Sequence, residues 1–195
     1  MSNLSGAHLA AGNPTKGRNP SDFYTTPPLV TQALIDADVL PSGSSVWEPC
    51  CGDGAMSKVL IANGFDTYSS DLYFRGYGVG GVDILNTENT PIPNAGIITN
   101  PPFNISSEII EHVLGNLQVP FLALVLKSQY WHGAKRSAIF KKHQPTHVLP
   151  LLWRPDFQGC GGSPTMEVLW TVWDANTARG RTLYYPLPKP TTFKQ

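Results

Sequence analysis

Apolar and polar positions follow two rhythms along this chain, and the switches between them predict a series of strands and helices. After Pro27 and Pro28, LVTQALIDADVL carries apolar residues at helical spacing, and Pro41-Ser42-Gly43 ends that helix. Proline suits a helix start because its missing N–H would be unpaired there anyway. Ser45-Val46-Trp47 reads as a short strand, followed by the turn CCGDGA and a helix from about Met56 to Asn63, which Gly64 stops. Thr67-Tyr68-Ser69-Ser70 is a second strand, ending at Asp71. The turn-rich stretch YFRGYGVGG leads to Val82-Asp83-Ile84-Leu85. Gly96-Ile97-Ile98-Thr99 is a buried-looking strand running into Asn100-Pro101-Pro102-Phe103, and a helix is expected from Ser106 to Leu117. Pro120–Leu126 is a strongly apolar strand, and Ala134–His143 a basic helix. His147–Trp153 and Met166–Trp173 are strands that form a hairpin through the Gly-rich QGCGGSP loop.

Strands alternating with helices indicate a mostly parallel α/β sheet, in which ligands bind beyond the carboxyl ends of the strands. With 195 residues, 41% of them hydrophobic and 14% charged, the chain suits one globular domain over 22–195. Residues 1–21 are small and polar and are expected to form a flexible arm. No run of about 18 or more apolar residues suggests a membrane span, and the N-terminal sequence does not read as a secretory signal. The three cysteines, Cys50, Cys51 and Cys160, form no CxxC pattern. They are expected as reduced thiols in a cytosolic compartment, without a metal site.

Net charge is zero, but its distribution is uneven. Residues 1–111 hold 11 acidic and 4 basic side chains, whereas residues 112–195 hold 3 and 10. The second half can therefore present a positive face to nucleic acid, with Lys127, Lys135, Arg136, Lys141, Lys142 and Arg154 as candidate contacts. A solvated helix face reads the same way.

Five groups of residues carry candidate chemistry. Glu48-Pro49-Cys50-Cys51-Gly52-Asp53-Gly54 lies between a strand and a helix, and Gly52 and Gly54 allow a tight turn and close approach of a ligand. The loop lacks the lysine of a phosphate-binding loop, and its acids suit an ammonium or sulfonium ligand. Asp71, 19 residues after Gly52, can accept hydrogen bonds from ribose hydroxyls. Asp83, in an apolar context, needs a partner such as an exocyclic amine or solvent. The Asn100-Pro101-Pro102-Phe103 loop is the most specific signal. Its prolines strip the backbone of donors. The Asn100 oxygen and the Pro101 carbonyl remain as two acceptors, able to hold the two N–H bonds of an amine. Phe103 offers a face on which a flat base can stack. Aromatic pairs at Phe23-Tyr24 and Tyr130-Trp131 could wall the cleft or belong to the core.

These motifs resemble the Rossmann-like S-adenosylmethionine-dependent methyltransferases, especially the small phage- and prophage-type N6-adenine DNA methyltransferases, over roughly Phe23–Asp174. The resemblance implies a single α/β domain: a mostly parallel seven-stranded sheet with a C-terminal antiparallel hairpin, and helices on both faces. It implies S-adenosyl-L-methionine as cofactor. Tyr24, Thr25, Thr26 and Pro27 would close over its methionine part, and Glu48, Pro49, Cys50, Gly52, Asp53 and Gly54 would form its loop. Asp71 with Leu72 would hold the ribose, and Asp83 with Ile84 the adenine. Asn100 would also border the cofactor. Asn100, Pro101, Pro102 and Phe103 would be catalytic, and Tyr130 and Trp131 would join the basic residues against DNA. The chain has no room for a separate target-recognition domain, so loose specificity, a homodimer or a specificity partner is expected. Alternative readings are methylation of a protein glutamine or an RNA base, or a protein that binds or degrades the cofactor without methylating.

Overall fold

The computed structural model describes residues 23–159, 161, 163–177 and 180–194; the expected arm and Cys160 lie outside them. The chain-order elements are α1 (Pro28–Asp36), β1 (Ser45–Glu48), α2 (Ala55–Ala62), β2 (Asp66–Asp71), β3 (Val79–Gly80), β4 (Gly96–Thr99), α3 (Ser106–His112), β5 (Phe121–Lys127), α4 (Ala134–Lys142), β6 (His147–Pro150), β7 (Val168–Asp174) and β8 (Leu183–Tyr184). The strands form one sheet in the order β3-β2-β1-β4-β5-β7-β6-β8. From β3 to β5 all neighbours are parallel, and β7 runs antiparallel to both β5 and β6.

The apolar run FLALVLK shows why the sheet needs helices on both faces. Phe121, Ala123 and Val125 join a core with Val30, Leu34, Met56 and Leu60 of α1 and α2. Leu122, Leu124 and Leu126 join the opposite core with Ile109 and Ile110 of α3 and Ile139 of α4. Alternate residues of a strand point to opposite faces, so a continuous apolar run has to be covered twice. Buried indoles find acceptors: Trp170 donates to the Val30 carbonyl at 2.9 Å and Trp47 to Ser70 Oγ at 2.8 Å.

The expected α/β sheet with a closing antiparallel pair is present, with three local differences. The sheet has eight strands, its two edges being the two-residue strands Val79–Gly80, parallel to β2, and Leu183–Tyr184, parallel to β6. Val82-Asp83-Ile84-Leu85 forms no strand; Asp83 caps a 3-10 turn over Ile84–Asn86, its Oδ1 accepting from Leu85 N at 3.0 Å. The third helix remains α-helical only to His112, and Val113–Leu117 widens into a π turn that ends at Gln118 with φ +51°.

The strand order reverses direction between β1 and β4, which are adjacent while their following connections leave toward opposite sides of the sheet. A crevice opens at the carboxyl ends of such a pair. The loops after β1, β2 and β4 meet there.

Candidate active site

The turn after β1 is built on two left-handed glycines, Gly52 (φ +56°) and Gly54 (φ +79°), the second of which starts α2. Its backbone is tied to β2 by Cys51 N donating to the Ser70 carbonyl at 2.9 Å. Asp71, the last residue of β2, completes the tie. Its Oδ2 accepts from Gly52 N and its Oδ1 from Tyr73 N, both at 2.9 Å. Each carboxylate oxygen thus keeps a lone pair for another donor. Asp83 is likewise half-satisfied, its Oδ2 accepting from Asn86 Nδ2 at 2.6 Å.

The segment Phe23–Pro27 crosses in front of this turn as a strap. The Phe23 ring lies over Gly52, with the Arg75 guanidinium 4.3 Å from the ring centroid. Thr25 Oγ1 donates to Asp53 Oδ2 at 2.6 Å. Thr26, only 8% exposed, accepts from Asn100 Nδ2 at 3.0 Å. Asn100 Oδ1 is left without a donor among the described residues. The Pro102 carbonyl accepts from Ile105 N and Ser106 Oγ at the start of α3, whereas no described residue donates to the Pro101 carbonyl. Phe103 is half-buried beside them, and Lys127 Nζ at the end of β5 stands 5.1 Å from its ring centroid.

Beneath the turn, Glu48 is buried and hydrogen-bonded to the Ser57 hydroxyl, which also meets Ser69 Oγ at 2.6 Å. Burial pushes its carboxyl up to about 8; the Ser57 hydrogen bonds oppose this, and the nearby Asp53 and Asp71 add to it. Glu48 is therefore mostly protonated at neutral pH and adds little negative charge to the turn. Burial also pushes the Cys50 thiol up, and raises Cys51 to about 12, so both stay thiols.

A cleft of about 960 Å³, including the space at its mouth, joins these parts. Tyr24, Thr25 and Thr26 line it from the strap, and Glu48, Pro49, Cys50 and Asp53 from the turn. Asp71, Leu72, Asp83 and Ile84 line it from the end of β2 and the loops after β2 and β3, and Asn100, Pro101, Pro102 and Phe103 from the loop after β4. Three expected residues are outside the lining. Pro27 is the N-cap of α1, and Gly52 and Gly54 are covered by the rings of Phe23 and Tyr77. Several lining residues were not foreseen, including Met56, Tyr73, Arg75, Val82, Ile105 and Met166. The sequence YFRGY carried a signal, aromatics interleaved with a cation, that reads only as a turn until Phe23 is placed beside it.

The expected nucleic-acid set does not gather in one place. None of its residues lines the cleft, and Lys127 stands beside Phe103, which does. Tyr130 is 2% exposed and Trp131 packs edge-on against Tyr130, Phe140 and Trp173, so both pack with the core and neither lines the cleft. Arg136 is held by Tyr130, donating to its carbonyl at 3.1 Å and lying 4.4 Å from its ring centroid. Arg154 pairs with Glu167 at 2.5 Å. Lys135 is exposed near the start of α4. Lys141 and Lys142 lie at the other end of that helix, bordering a second hollow with Asp174, whose strand partner is Phe121 at the amino end of β5. Among the described residues no group of three or more His, Cys, Asp or Glu side chains could hold a metal, and no helix is long and apolar enough to cross a membrane.

No family model matches the chain, and no curated protein sequence does. Solved structures do resemble it. The methyltransferase subunit of a type I restriction-modification system from Streptococcus thermophilus superposes with a TM-score of 0.57 at 12% identity, covering 84% of this chain and 47% of that one. A candidate class I S-adenosylmethionine-dependent methyltransferase from Listeria monocytogenes gives 0.58 at 12% identity, covering 88% and 68%. The 23S rRNA methyltransferase ErmE gives 0.57 at 14% identity, covering 79% and 70%. The fold is the Rossmann-like methyltransferase fold. Within it, the chain spans about half the length of the Streptococcus subunit.

Proposed function

We propose that this chain is an S-adenosylmethionine-dependent methyltransferase that acts on an exocyclic amine, and that its target is N6 of adenine in DNA. One observation above all supports this. Two acceptors without donors among the described residues, Asn100 Oδ1 and the Pro101 carbonyl, share a cleft with the half-satisfied acids Asp71 and Asp83.

The residues fit the cofactor. Asp71 has lone pairs for ribose hydroxyls, and Asp83 has one for an exocyclic amine. The carboxylates of Asp53 and Asp71 suit a sulfonium and an ammonium. When bound, S-adenosylmethionine supplies a methyl group already activated by its positive sulfur. The protein's own part is alignment. Asn100 and Pro101 accept the two N–H bonds of the substrate amine and draw its lone pair out of conjugation, toward the methyl. Such positioning replaces a strong base with proximity. Phe103 gives the base a stacking face, so an adenine in duplex DNA has to leave the stack to reach it. DNA as the polymer is supported by Lys127 beside Phe103 and by the likeness to a restriction-modification subunit. Sequence preference is loose or supplied by a partner.

The test is incubation with labelled S-adenosylmethionine and, in parallel, unmethylated DNA, RNA and protein, followed by nucleoside and amino-acid analysis. Label in N6-methyladenine of DNA is expected. Label confined to RNA or to glutamine overturns the substrate, and cofactor turnover without a labelled macromolecule overturns the transfer. Asn100→Ala is expected to keep cofactor affinity and lose most transfer, since its oxygen acts on the amine in the transition state.

A further inference from the structure

A primary amide has two faces: an oxygen that accepts and an NH₂ that donates. Nothing in the Asn100-Pro101-Pro102-Phe103 loop itself dictates which one Asn100 turns to the cleft, because its prolines carry no N–H and could not hold the oxygen back. The only described side-chain partner of the Asn100 amide comes from 74 residues away, where Thr26 Oγ1 accepts from Nδ2 at 3.0 Å. Thr26 is itself fixed. It is 8% exposed, its neighbour Thr25 is bonded to Asp53, and Phe23 of the same strap rests on Gly52.

We infer that Thr26 is a positioning residue that anchors the Asn100 amide through Nδ2 while its oxygen faces the substrate, so that the strap Phe23–Pro27 steadies the acceptor side of the site. This inference rests on the amine-methylating reading above, and it assigns the strap a duty beyond covering a cofactor. With the amide reversed, its NH₂ would face the N–H bonds of the incoming amine, donor against donor. The site would then lose one of its two acceptors.

The coupling between these two residues is measurable. Thr26→Val removes the acceptor at near-constant shape and frees the amide to reverse. It is expected to lower kcat roughly tenfold, the scale of one neutral hydrogen bond, with little change in cofactor affinity. Thr26→Ser keeps the hydroxyl and is expected to restore most of the rate. Asn100→Asp presents acceptors on both sides, so orientation no longer matters there. Adding Thr26→Val to Asn100→Asp is expected to cost less than about twofold, as a double-mutant cycle reports. An equal loss from Thr26→Val in both backgrounds overturns the inference, as does full kcat in Thr26→Val with Asn100 intact. A second readout needs neither substrate nor cofactor. The Asn100 side-chain amide protons, followed by NMR hydrogen exchange, are expected to be protected in the wild type and in Thr26→Ser and to exchange faster in Thr26→Val. Unchanged exchange overturns the inference even if methylation is observed. Protection that depends on Thr26, in a protein that methylates no adenine, supports the orientation and sinks the functional reading alone.

Discussion

Asp71 Oδ2 accepts the backbone N–H of Gly52 at 2.9 Å, so the acid that ends β2 also holds the turn that follows β1. The residue expected to bind ribose is therefore part of the scaffold that shapes the rest of the cleft. Asp71→Ala is expected to weaken S-adenosylmethionine by roughly 1.5–3 kcal/mol, the scale of hydrogen bonds to a charged group. It should also lower the melting temperature without ligand, because Gly52 and Tyr73 lose their acceptor. Calorimetry and a thermal melt check the two effects, and unchanged cofactor affinity in a folded variant refutes the assignment.

Gly52 has two reasons to be glycine. Its φ of +56° favours a residue without Cβ, and a Cβ built there would stand 2.3 Å from Phe23 Cε2. The clash is with the strap's ring and not with open cleft. Gly52→Ala is therefore expected to displace Phe23 and weaken cofactor binding by opening the strap. Phe23→Ala placed in that background should recover part of the thermal stability, leaving only backbone strain of about 1–2 kcal/mol. If the double variant melts no higher than Gly52→Ala alone, the ring is not what the new side chain meets.

The alternation of strand and helix was legible because apolar runs such as GIIT and FLALVLK are bounded by glycine and proline, and β4 spans the residues expected of it. The acids at the strand ends and the Asn100 loop were legible for the same reason: each sits where a parallel sheet places ligands. Three things were not. Leu183–Tyr184 is two residues long in a proline-rich stretch and is a strand only because β6 offers an open edge. Tyr130 and Trp131 look like cleft aromatics until Phe140 and Trp173, distant in sequence, surround Trp131. The strap's contacts pair Phe23 with Arg75 and Thr26 with Asn100, and such long-range partners leave no local periodicity to read.

Glu48 gives the protein a pH dependence with a definite direction. Its carboxyl titrates near 4.5 when unperturbed and is raised to about 8 in the folded chain, chiefly by burial. Below the lower value both folded and unfolded states hold the proton. Between the two values the unfolded chain releases it and the folded chain keeps it. Glu48 therefore withdraws stability as pH rises across that window, and the loss levels off above about 8. Glu48→Gln keeps the shape without the titration, and is expected to flatten this slope and gain relative stability at the alkaline end. Urea midpoints at about pH 5 and about pH 8 measure it. An equal fall in wild type and variant would mean that other groups carry the dependence.

The candidate basic residues of the second half fall into three groups, and DNA binding should divide with them. Lys127 stands at the carboxyl end of β5 with its ammonium 5.1 Å from the Phe103 ring, where the phosphate of an extruded nucleotide would pass. Arg136 and Arg154 are already held, one by Tyr130 and the other by Glu167. Lys141 and Lys142 sit at the far end of α4, the second of them 3.8 Å from Glu111, beside the amino end of the sheet. On the proposed function, a duplex seated over the cleft cannot be tracked by a helix end at the amino end of the sheet. Phosphate contacts act on all sequences alike and appear as salt dependence. Lys127→Ala is thus expected to weaken DNA binding on every sequence and reduce the log–log salt slope by about 0.9, the value for a single phosphate no longer neutralised. Lys141→Ala with Lys142→Ala should leave both affinity and slope close to wild type, and cofactor affinity should move in neither. Salt titrations of DNA binding decide between the two ends of the sheet. A slope that falls with the Lys141–Lys142 pair and holds with Lys127→Ala would place the DNA on the other side of the sheet.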